Sequence, residues 1–142
     1  MIIENLNTVP IFIDLDAEEL ADVSESCTPR KYPKNSMIIL EEEFGDIVFI
    51  IIKGTVKITR VNDEGKEVIL SLLGPGEIFG EMAILDGEPR SADAIALEDC
   101  ILFKIKQRDF SQVLSSQTEV MKGIIQILTK RLRETTQKLY GN

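Results

Sequence analysis

Between Phe79 and Ala94 the chain reads FGEMAILDGEPRSADA, with one basic residue, Arg90, among Glu81, Asp86, Glu88 and Asp93. Glycines stand at 74, 76 and 80 ahead of a short apolar turn, and Gly87 and Pro89 follow it. Gly80 lacks a Cβ, so it permits a positive φ or a close approach of backbone to a ligand. Residues 81–84 can form a single helical turn, whose first amides have no intrahelical acceptor and form an anion site. Gly87 and Pro89 let the loop fold Arg90 back over that turn, and a guanidinium beside free amides makes a phosphate cradle. Glu81 has no favourable contact with a phosphate; its carboxylate suits a hydroxyl donor such as a ribose 2′-OH. This set fits a sugar phosphate of small net charge. The same residues also read as a hairpin loop in which Arg90 pairs with Glu81 or Asp86.

Other chemistries find little support. The chain has no histidine, the commonest general base and metal ligand. Cys27 and Cys100 are its only cysteines and lack a CxxC spacing. They read as small buried hydrophobes, with a disulfide as the alternative. No metal and no catalytic nucleophile–base pair is expected. The net charge is −8; residues 122–142 carry five basic residues against Glu134, which is +4, so the rest carries −12. So acidic a body argues against a nucleic-acid surface. The basic end reads either as a nucleic-acid patch or as the solvated face of a terminal helix whose cations complement its dipole. The longest apolar run, Ile47 to Ile52, is six residues, too short to span a bilayer. The N-terminus shows no basic n-region or small-residue cleavage site, so a cytoplasmic location is expected.

The elements that must position the 79–94 stretch fall into three textures. Residues 1–26 carry short helical signals; Asp14 or Asp16 is a candidate N-cap for a helix over 17–25. Residues 27–106 alternate short β-rich runs (MIIL, IVFIIIKG, TVKITRV, KEVILSLL, SADAIAL, CILFKI) with turns containing Gly, Asp or Pro, as in an antiparallel barrel or sandwich. Residues 107–140 are helical: QRDFSQVLSS is a short helix, and 118–140 is one long helix of roughly 35 Å. In the long helix Met121, Ile125, Leu128, Leu132 and Leu139 step 4, 3, 4 and 7, with Thr135 in the gap, which is a heptad seam with one polar member. Ile124 and Ile127 widen the stripe toward the β body. The helix serves either a homodimer seam or packing on its own domain.

GEIFGEMAILDGEPRSADAIA resembles the phosphate-binding cassette of the cyclic-nucleotide-binding domain family. EFGDIVFIIIKGTVKI and DEGKEVILSLLGPGEIFGE are similar to that family's strands and hairpin, and LTKRLRETTQKL to the dimerisation helix of its catabolite-activator branch. The resemblance runs from about residue 8 to 140. It implies a mainly β α+β fold: an antiparallel β-roll (jelly roll) with short N-terminal helices and a long C-terminal dimerisation helix. It implies one domain over 1–142, with the cassette at 79–94, and cAMP as ligand, with cGMP less favoured. By position, Gly80 and Glu81 would meet the ribose. The amides of Met82 and Ala83 would face the cyclic phosphate, and Arg90, Ser91 and Ala92 would complete that end. Ile52, Leu70, Ser71 and Leu73 would wall the pocket. Thr135 and Thr136 match a pair that reads adenine, one from each subunit, with Arg131 near the same base; otherwise they are surface polar residues, one of them fixing seam register.

Regulators of that branch continue into a helix-turn-helix domain. Here the sequence ends at LYGN, so DNA binding is not expected of these 142 residues. The expectation is a non-catalytic cAMP sensor acting as an allosteric homodimer through helix 118–140, with an effector the sequence does not name. The alternatives are the sensor half of a catabolite-activator-type transcription factor, or a ligand-free dimerisation domain of the same fold.

Overall fold

The computed structural model describes residues 2–39, 46–80 and 92–140. The cassette turn with Glu81, Met82, Ala83, Arg90 and Ser91 lies outside them. The chain opens with α1 (Ile2–Leu6), a 3-10 turn (Pro10–Phe12) and α2 (Ala17–Glu25). Of the two candidate caps for α2 it is Asp16 that serves. Its Oδ1 accepts from the Glu19 amide at 2.8 Å, while Glu19 Oε1 accepts from the Asp16 amide at 2.9 Å. This reciprocal box satisfies two amides that the first helical turn would otherwise leave open.

Among the described residues eight strands follow: β1 (Cys27–Tyr32), β2 (Met37–Ile39), β3 (Ile47–Lys53), β4 (Val56–Val61), β5 (Glu67–Leu73), β6 (Ile78–Phe79), β7 (Asp93–Ala96) and β8 (Cys100–Lys106). They form two antiparallel four-stranded sheets, ordered β1-β8-β3-β6 and β2-β7-β4-β5. The expected β-roll is thus the observed architecture. Strand β1 carries four consecutive exposed positions before Tyr32, Pro29 among them. It is held by its full register with β8, Cys27 opposite Ile105 through Tyr32 opposite Cys100. Its place at a sheet edge is where a proline's missing amide is tolerated.

The first sheet is covered on both faces. In β3, Val48 and Ile50 point toward the helices, where they join Leu6, Phe12, Phe103, Phe110 and Ile124. Phe49 and Ile51 point toward the second sheet, among Tyr32, Val56, Leu73, Phe79 and Leu102. This is the period-2 alternation of a strand buried on both sides. The two cysteines are free and belong to different cores. They stand at opposite ends of the β1–β8 ladder, five register steps or about 17 Å apart, so no disulfide can join them.

Helices α3 (Gln107–Ser116) and α4 (Thr118–Tyr140) close the chain. The N-terminal half of α4 packs on the helix-side core through buried Val120 and Ile124 and half-buried Ile127 and Leu128. Gly123 makes that contact close: a Cβ there would stand 3.2 Å from Cγ2 of Ile11. Leu128 therefore faces the chain's own core. The other seam positions, Met121, Ile125, Leu132 and Leu139, are exposed. Helix α4 thus both packs on its own domain and keeps an uncovered apolar stripe.

Candidate functional site

A cavity of about 430 Å³ opens between the second sheet and the C-terminal half of α4. That volume lies within the usual range for small-molecule sites. Its floor is apolar, made by Ile39 of β2, Ile58 of β4, Ala94 of β7 and Phe79 of β6. Its long wall is β5, from Val68 through Ser71, with Leu73. The facing wall is α4, which presents Arg131, Thr135, Lys138 and Leu139. These positions step 4, 3 and 1, so they share one helix face.

Two devices hold the walls in place. An aromatic ladder crosses the inter-sheet core: Tyr32 meets Phe49 edge-on at 6.4 Å, and Phe49 stacks on Phe79 at 5.0 Å with 11° between planes. It fixes Phe79 at the cavity and delivers the chain to Gly80, whose φ of 86° lies in the left-handed region that glycine adopts freely. The second device bolts α4 to the sheets. A guanidinium nitrogen of Arg131 donates to the Ile78 carbonyl, and Lys138 Nζ donates to the Leu70 carbonyl at 2.7 Å. Both bonds carry a charged donor, the stronger class.

Gly80 and Ala92 both line the cavity. They bracket residues 81–91, so both ends of the cassette stand at one site. Of the residues singled out in the sequence, the cavity brings together Leu70, Ser71, Leu73, Gly80, Ala92, Arg131 and Thr135. Ile52 is not among its lining; it packs against the helix-side core, on the same face of β3 as Val48 and Ile50. Thr136 is exposed, and its hydroxyl donates to the Leu132 carbonyl at 3.0 Å. Thr135, at the cavity wall, does likewise to the Arg131 carbonyl at 2.9 Å, which leaves its oxygen with acceptor capacity. Sequence reasoning missed Lys138, Leu139, Asp93 and the apolar residues Val68 and Ile69. The 4-3 stepping from Arg131 through Thr135 to Lys138 was the available signal for the lysine.

Cys27 takes no part in this site. Burial pushes its thiol up to about 12, the mark of a structural cysteine rather than a nucleophile. Among the described residues no cluster of three or more His, Cys, Asp or Glu could hold a metal ion. Nor is any described helix long and apolar enough to cross a membrane.

A two-sheet roll, a cavity at the cassette's two ends and a long helix across that cavity define a β-roll class of domain built around a ligand-sized cavity. Residues 29–117 match the cyclic nucleotide-binding domain family, and the chain belongs to it. Among individual proteins it is 34% identical to the cyclic AMP receptor protein of Thermus thermophilus, over 92% of this chain and 60% of that one. The crystal structure of the Thermus thermophilus catabolite activator protein superposes with a TM-score of 0.82, at 34% identity, covering 92% of this chain and 61% of that one. The regulatory domain of Toxoplasma gondii PKA, crystallised with cAMP, superposes with a TM-score of 0.71 at 26% identity, covering 79% of this chain and 42% of that one. The chain therefore spans about three fifths of the length of the Thermus receptor protein.

Proposed function

We propose that this chain is a non-catalytic, cytoplasmic cAMP-binding signalling module that works as a homodimer through α4. One observation carries the reading: both ends of the arginine-bearing cassette, Gly80 and Ala92, stand at a single cavity roofed by the helix that also bears the exposed seam. Cyclic-AMP-binding relatives support the choice of ligand. The cyclic phosphate would sit toward residues 81–91, where Arg90, Ser91 and the amides of Met82 and Ala83 supply its charge partner and donors. Glu81 would accept from the ribose hydroxyl. The apolar walls of β5 would cover the sugar and base, and Thr135 would meet the base edge.

The coupling follows from α4's double role. Leu139 lines the cavity and is also the last seam residue. A ligand that favours one placement of that turn over another shifts the population of helix arrangements in the dimer. Calorimetric titration of cAMP, cGMP and cyclic dinucleotides tests the ligand. Arg90→Ala should weaken cAMP binding by about 2–5 kcal/mol, the cost of leaving a buried charge without its partner. Equal affinity in the variant removes Arg90 from the site. Saturating cAMP at 100 times its dissociation constant should add about 2.7 kcal/mol to stability, and no gain favours the ligand-free dimerisation reading.

A second reading rests on coverage. Because the chain spans 60% of the cyclic AMP receptor protein it matches, these residues also suit the sensor half of a longer transcriptional regulator. The coding sequence downstream of Asn142 decides between them.

A further inference from the structure

A second cavity, of about 420 Å³, lies on the first sheet and shares no lining residue with the one under α4. It opens at the end of the sheet that the helices leave uncovered. Phe103 and Ile105 of β8 are buried in the helix-side core, whereas Ile101, on the same face, is only half-buried. Ile101 pairs with Lys31 of β1 on one side and with Lys53 of β3 on the other, so both lysines share its face. Lys53 reaches that place through a bulge. Ile51 stands opposite Leu102, and the extra residue Ile52 puts Lys53 opposite Ile101. A bulge re-aims a side chain in this way. Gly54, with φ of 97°, then turns the chain, and a Cβ there would stand 2.6 Å from Sγ of Cys100. Asp99 Oδ1 accepts from the Lys34 amide at 2.9 Å and ties the turn after β1 to the start of β8. The backbone that carries the two cations is thus held on both sides.

We propose that this cavity is a second binding site, one that takes a phosphate group as free phosphate or as a phosphate ester. Like charges facing each other across a sheet repel. In a chain of net charge −8 carboxylates are plentiful, and Lys57 on the second sheet finds one, pairing with Glu67 at 2.8 Å. Among the described residues neither Lys31 nor Lys53 has such a partner. Two lysines against Asp99 leave the cavity lining at +1. Strands β1 and β3 are two strand spacings apart, roughly 10 Å. The four-carbon stems of the lysines can close that gap and bring both ammoniums to one anion. Ile101 and Pro33 give apolar surface to the rest of an ester. Cys100 lines the cavity too, but burial raises its thiol, so it is a wall and not a nucleophile.

The test is residue-resolved NMR titration of the full chain with inorganic phosphate and with phenyl phosphate, at constant ionic strength. The expected result is saturable amide shifts at Lys31, Lys53 and Ile101. Affinity should fall about tenfold in Lys31→Gln and in Lys53→Gln, the size of one charge-assisted hydrogen bond. Both lysines are exposed, so these variants should fold as the wild type does. Lys66→Gln, at the tip of the β4–β5 hairpin, should leave the affinity unchanged. Tighter binding of phenyl phosphate assigns the site to an ester, and equal or weaker binding assigns it to the free anion; both support a phosphate site. The proposal is overturned if the shifts do not saturate, or if the double variant Lys31→Gln, Lys53→Gln binds as the wild type does. It is also overturned if the shifts appear only at Gly80 and Ala92, since the anion would then enter the cavity under α4 alone.

Discussion

Strands β8 and β5 belong to the same roll and have opposite surroundings. Strand β8 is bonded to β1 on one side and β3 on the other, and Leu102 and Ile105 along it are fully buried. Strand β5 ends its sheet, pairs with β4, and is exposed or half-exposed at every position except Leu73. Yet β5 is as apolar as β8: Val68, Ile69, Leu70 and Leu72 are all uncovered, Leu72 at 61%. Apolar residues left open on an edge strand are a liability unless something else covers them. Here Val68 through Ser71, with Leu73, border the cavity, and Leu139 of α4 lines it too. The difference separates two tasks. The first sheet buries most of its apolar surface, whereas β5 and the C-terminal half of α4 leave theirs open, so the lower local stability is expected there.

The largest test of that division compares core truncations. Ile50→Ala, on the fully buried strand β3, should cost about 2–5 kcal/mol of unfolding free energy. Leu72→Ala should cost less than about 1 kcal/mol in the ligand-free chain, because little of that side chain leaves water on folding. Urea unfolding at one fixed protein concentration measures both. Similar costs would mean that the hairpin is as much a part of the stabilising core as β3.

A smaller effect probes how dry the helix-side core is. The Cys27 thiol is raised by burial from the ordinary 9.0 to about 12. Folding therefore holds a proton that the unfolded chain releases above pH 9. Stability from this group is complete below pH 9 and falls as the pH climbs toward 12. Between pH 8 and about pH 10.5 the wild type should lose about 2 kcal/mol more than Cys27→Ala. Parallel pH profiles would place Cys27 in contact with water and weaken the contrast between the two regions.

Local pattern decides what was legible in the sequence. Helix α2 and its cap, α3, α4 and the strands β2, β3, β4, β5, β7 and β8 are written in local periodicity, β-rich composition and capping, so 17–25, 107–116 and 118–140 could be read directly. Strand β1 could not. CTPRKY has no alternation, and only its register with β8 makes it a strand. For the site, the glycines and the arginine of the cassette declare themselves by type. Leu70, Ser71 and Thr135 came through resemblance, and the cavity gathers them. The face of β3 was harder: Ile52 was expected in the wall, but the alternation that sends Ile51 toward the second sheet sends Ile52 toward the helices. Lys138 and Leu139 could be put on one helix face with Arg131 and Thr135, but nothing local placed that face at the site. A heptad says which residues share a helix face, but where that face docks depends on Gly123 meeting the 3-10 turn and Arg131 meeting Ile78, which are contacts distant in sequence.

The smallest effect concerns the hairpin tip. Asn62 Oδ1 accepts from the amides of Glu64 and Lys66, each at 3.0 Å, and the Asn62 amide donates to the Lys66 carbonyl at 2.8 Å. The side chain thus ties the turn that aligns β4 with β5, the role asparagine serves in Asx turns. Asn62→Ala removes two exposed hydrogen bonds, with an expected cost of about 1 kcal/mol. The location matters more than the size. If the hairpin opens as its own unit, amide exchange should quicken along Val56–Leu73 while β8 amides keep their wild-type protection. A uniform acceleration through β8 would mean that the roll opens as one body, and the separation of a stable sheet from a responsive hairpin would be lost.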